Sequence, residues 1–83
     1  MSRLLPSDKI REWYLDEMRE HVVEISELLK RGDEIYRGDK TCGKHARTEA
    51  YDLIVLTAEL FALNDVLDSV PDEIIERFNQ KRR

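Results

Sequence analysis

The chain has 83 residues, with 14 Lys and Arg against 18 Asp and Glu and a net charge of -4 at pH 7. That length holds a single domain, 1–83, whose limited buried surface leaves room for completion by a second copy. The acidic balance counts against duplex nucleic acid, which calls for a basic face, and the longest uncharged run, Leu53 to Ala58, is far short of the roughly 20 residues of a membrane span.

Pro6, Ser7 and Asp8 form a helix-start signal, and nothing breaks a helix from Asp8 to Arg31. Ile10, Tyr14, Met18, Val22, Ile25 and Leu29 recur at helical spacing, with Val23 and Leu28 widening the stripe. Lys30 and Arg31 followed by Gly32 read as a helix end. Residues 32–46 contain all three glycines and read as a connecting loop, with room for a helical turn near Ile35 and Tyr36.

A second helix is expected from about Lys44 to Asp68. It is apolar almost all round, as suits the centre of a fold or a subunit interface. Ser69, Val70 and Pro71 restart the chain, and a last helix runs from Pro71 to about Gln80 with Ile74, Ile75 and Phe78 on its apolar side. No strand-like alternation and no internal repeat is visible. The expected fold is all-α: a long helical hairpin plus a short C-terminal helix, completed as a helical bundle by homo-oligomerisation into a dimer or tetramer.

Two acidic pairs carry the candidate chemistry. Glu24 and Glu27 lie three apart on the first helix, and Glu49 and Asp52 lie three apart at the start of the second. Residues at that spacing share a helix face, so antiparallel packing would converge four carboxylates. Such a cluster needs protons or cations, and hard oxygen donors suit Mg²⁺ or Mn²⁺. Glu17 and Glu20 offer an alternative phasing, and a solvated acidic face balanced by Arg19, Lys30 and Arg31 is the bland alternative. Glu49 and Asp52, however, open the most apolar segment of the chain, where an unpaired carboxylate is costly to bury.

The other chemically capable residues are less distinctive. Trp13 and Tyr14 read as core or dimer-seam aromatics, and His21 as an exposed histidine on a charged helix. Cys42 lacks the partners of a nucleophile or a zinc site, and Gly38 to Gly43 lacks the order of a phosphate-binding loop. A lone cysteine and an N-terminus without a signal peptide fit the cytoplasm.

Val22-Val23-Glu24-Ile25-Ser26-Glu27-Leu28-Leu29, a Gly-Asp turn, and Glu49-Ala50-Tyr51-Asp52-Leu53-Ile54 together resemble the all-α nucleoside triphosphate pyrophosphohydrolases. That superfamily includes the MazG-like enzymes and phosphoribosyl-ATP pyrophosphohydrolase. Its signature is Glu-Glu-x-x-Glu, a gap, then Glu-x-x-Asp; Val23 stands at the first position here. The resemblance covers about residues 20 to 83 and implies Mg²⁺ held by Glu24, Glu27, Glu49 and Asp52. It implies hydrolysis of a nucleotide substrate, a nucleoside triphosphate, to monophosphate and pyrophosphate. Glu20 or Glu27 would then take the proton of the attacking water, and Lys40, Lys44, His45 and Arg47 would meet the phosphates. The competing expectation is a non-catalytic helical interaction protein that acts through an apolar dimer face and an acidic surface.

Overall fold

The computed structural model describes residues 3–81. In chain order these form α1 (Arg11–Arg31), β1 (Ile35–Arg37), β2 (Lys40–Thr41), α2 (Cys42–Phe61), α3 (Asn64–Leu67) and α4 (Asp72–Lys81). Helix dominates, as expected, but the connecting segment is not a plain loop. β1 and β2 pair as an antiparallel hairpin around Gly38-Asp39. Gly38, at φ 59°, supplies the left-handed backbone that a two-residue hairpin turn needs at its first position. The strands are too short to show alternation, which is why the sequence pattern does not announce them.

The helix boundaries also move. α1 begins at Arg11 rather than Asp8. Ile10 precedes it in extended backbone without a side-chain cap, and Ser7 instead accepts the Lys9 N–H at 3.3 Å. Residues 3–10 form a strap outside helix and strand, clasped by the buried side chain of Asn79 on α4. The Leu5 N–H donates to Asn79 Oδ1 at 2.7 Å, and Asn79 Nδ2 donates to the Arg3 carbonyl at 2.8 Å. α2 starts early because the Thr41 hydroxyl accepts the Lys44 N–H at 3.2 Å. It ends early at Ala62, which takes a left-handed conformation and returns its N–H to Ala58 and Glu59. The expected helix to Asp68 is therefore two helices, α2 and the short α3.

α1 and α2 run antiparallel. Gly43 N–H, near the start of α2, meets the Gly32 carbonyl at 2.9 Å, while Tyr14 reaches Glu59 near the other end. The main core gathers Tyr14, Val55, Leu56, Val70, Ile74, Ile75 and Phe78. A smaller cluster of Leu28, Cys42 and Ala46 sits at the hairpin end. The expected stripe on α1 is only partly inside. Tyr14 and Leu28 are buried, but Ile10, Val22, Val23 and Leu29 are each more than half exposed. α1 is turned so that His21 faces the acids buried on α2.

Candidate metal centre

Between the two apolar clusters lies a layer of ionisable groups. α1 contributes His21 and Glu24, one turn apart; α2 contributes His45, Glu49 and Asp52. Glu49 is 7% exposed and Asp52 1%, so each charge has to be matched by a partner. His21 Nε2 stands 3.3 Å from Glu49 Oε2 and 3.6 Å from Asp52 Oδ2. His45 Nε2 stands 3.2 Å from Glu49 Oε1. From α4, the Arg77 guanidinium closes on Asp52 Oδ2. His21 Nδ1–H donates to the Glu17 carbonyl at 2.7 Å, which turns Nε2 toward the carboxylates. Donor atoms of His21, Glu49 and Asp52 lie within 4.8 Å of one another, and so do those of Glu24, His45 and Glu49.

The titration behaviour follows this layering. His21 is raised to about 9, chiefly by its hydrogen bond to Asp52. Burial opposes that bond, while the Glu17 carbonyl and the charges of Glu49 and Asp52 reinforce it. His45 is lowered, first by burial and then by Lys40. Burial also pushes Glu49 up, helped by the negative charges of Glu24 and Asp52. Among the described residues, the buried side-chain atoms lacking a hydrogen-bond partner are His45 Nδ1, Asp52 Oδ1 and Arg77 Nε. All three belong to this one layer, whose hydrogen bonding is thus incomplete.

The hairpin braces one side of the layer. Tyr36 falls where the strand register shifts between Ile35 and Arg37, and its ring stacks on His45 at 3.8 Å between centroids and 17° between planes. Such an irregularity can re-aim a side chain toward a site. Lys40 Nζ donates to the Thr48 hydroxyl at 2.9 Å and ties β2 to α2.

Of the four carboxylates of the sequence motif, Glu24, Glu49 and Asp52 come together in this layer. Glu27 does not join them: its exposed carboxylate lies 3.5 Å from Lys30 Nζ. Glu20 is exposed on α1 and belongs to neither donor group among the described residues. Of the basic quartet, Lys40 is tied to Thr48 and His45 is inside the layer. Lys44 is exposed, and Arg47 lies over the Tyr51 ring with its centre 5.8 Å from the centroid. Sequence reasoning missed His21 and Arg77 as partners of the acids. The available signal was spacing: His21-x-x-Glu24 and His45-x-x-x-Glu49 each put an imidazole and a carboxylate on one helix face.

His21 also forms part of the wall of a cavity of about 750 Å³ between the strap, α1 and α4. Trp13, Leu56 and Phe78 give it apolar walls. Lys9 Nζ sits 5.4 Å from the Trp13 ring centroid, and Lys81 Nζ sits 5.9 Å from that of Phe78. The volume lies within the range of small-molecule sites. No protein-family model, curated protein or solved structure matches the chain. Among the described residues no helix is long and apolar enough to cross a membrane.

Proposed function

We propose that the chain hydrolyses a nucleoside triphosphate to the monophosphate and pyrophosphate, using a divalent cation, Mg²⁺ or Mn²⁺, held between α1 and α2. The observation that carries this reading is the meeting of two donor groups from α1 and α2 at Glu49: His21 and Asp52 on one side, Glu24 and His45 on the other, with His21 also walling the cavity. The donor set of carboxylates and imidazoles fits a divalent ion, and Asp52 Oδ1 is a buried oxygen with no hydrogen-bond partner. Such an ion supplies Lewis acidity and lowers the pKa of water. The protein residues then have separate tasks. Trp13 offers a face for a base. Lys9 and Lys81 bring positive charge to a polyphosphate, and Arg77 holds Asp52 in place.

Purified protein with Mg²⁺ or Mn²⁺ should release pyrophosphate from at least one nucleoside triphosphate, and Glu49→Gln should abolish that release. Identical behaviour of the wild type and the variant would remove the catalytic reading. What would then remain is the interaction-protein reading, favoured by the open apolar groove of Leu15, Met18, Val22, Val23 and Leu53 on the outer side of α1 and α2. In either case we place a second copy of the chain on that groove, since large apolar side chains left in water favour association.

A further inference from the structure

We infer that the interhelical layer is a dinuclear transition-metal site in which the Glu49 carboxylate bridges two ions, one held with His45 and Glu24, the other with His21 and Asp52. This deepens the metal-dependent reading above and rests on its location of the ion-binding residues. It adds imidazole ligation, a second ion and a preference among metals.

The two oxygens of Glu49 are already divided. Oε1 faces His45 Nε2 at 3.2 Å, and Oε2 faces His21 Nε2 at 3.3 Å, with Asp52 Oδ2 a further 3.6 Å from the same nitrogen. These separations exceed the roughly 2.7–2.9 Å of a charge-assisted hydrogen bond. The two Glu49 separations fall instead within the spacing of neighbouring donors around one ion. With metal–ligand bonds of about 2.1 Å, that spacing is about 3.0 Å for an octahedron and about 3.4 Å for a tetrahedron. The two donor groups share only Glu49, so a single ion does not use both imidazoles in this arrangement.

Three further observations point to ligands rather than a finished ion-pair network. His21 donates Nδ1–H to a backbone carbonyl, the outer contact that orients a metal-binding imidazole through Nε2. Asp52 is 1% exposed, yet its Oδ1 has no hydrogen-bond partner. Glu24 is exposed, which leaves one side of the layer open for an ion to enter. The charge also suits the assignment, because the three carboxylates outnumber the two permanent cations beside them, Arg77 and Lys40, once both imidazoles are neutral. Nitrogen donors favour Mn²⁺, Co²⁺ or Zn²⁺ over Mg²⁺, which prefers an all-oxygen shell.

The chelator-treated chain titrated with Co²⁺ in a calorimeter should bind two ions, with visible absorption developing in step. Mn²⁺ should give an exchange-coupled paramagnetic spectrum, and Mg²⁺ should bind at least tenfold more weakly. His21→Gln and His45→Gln should each reduce the stoichiometry to one, Glu49→Gln should lose the coupling, and Asp16→Asn should leave two ions. Circular dichroism of each variant separates a lost ligand from a lost fold. If a histidine variant unfolds, the wild-type stoichiometry and Mn²⁺ coupling decide alone. One ion per chain, or two ions without coupling, overturns the dinuclear assignment and leaves the hydrolase reading standing. No ion at all overturns both. Two coupled ions without pyrophosphate release uphold the site and remove only the hydrolase reading.

Discussion

His21 is the residue whose protonation most directly joins the two long helices. Its imidazolium faces Glu49 and Asp52 on α2, accompanied by Arg77 from α4 and by His45, which burial keeps neutral. The folded value of about 9 lies above the ordinary 6.5, so proton binding favours the folded chain. That contribution is complete below about pH 6.5 and is lost as the pH rises through 9. The melting temperature of the chelator-treated chain should therefore fall across this window, and His21→Gln should flatten the decline. An unchanged slope in the variant would assign the pH dependence to another group. Glu49 has the opposite balance: its raised pKa means that burying its ionised form at neutral pH opposes folding.

At the scale of elements, the chain's caps explain where its helices stop. Ala62 occupies a left-handed position at φ 56° that carries a steric penalty for any residue with a Cβ. Ala62→Gly should stabilise the protein by about 1 kcal/mol, the size of that penalty. Thermal melting should detect it as a rise of about 4–8 °C for a domain of this size. The two long helices, the helix after Pro71 and the Glu24, Glu49 and Asp52 cluster were legible from periodicity and spacing. The hairpin was not, because three residues and two residues are too few to reveal a period. The end of α2 was hidden as well, since Ala62 has none of the chemistry of a usual stop. Glu27 shows a third limit. A spacing of three places it near Glu24 on a helix wheel, but the rotation of α1 leaves it beside Lys30 in solvent. That rotation depends on tertiary pairing of His21, which local sequence does not encode.

For the molecule as a whole, the same rotation leaves Val22 and Val23 on the outer surface, 54% and 63% exposed, beside a groove of about 640 Å³. A second copy seated there would bury the apolar stripe that the first leaves open. Sedimentation should show dimers for the wild type and monomers for Val22→Lys, with little change in helical content. Wild-type monomers at high micromolar concentration would exclude that assembly.

The sandwiching of a charged layer between two oily ones has a consequence for alignment. If α1 slid one turn along α2, His21 would leave its acids and meet side chains that offer it nothing. The buried carboxylates would then stand opposite carbon. Hydrocarbon alone would tolerate several such offsets at similar energy, whereas the polar stratum admits one. The feature that weakens the interior thus works as a ratchet stop, fixing how the hairpin closes before anything is bound there.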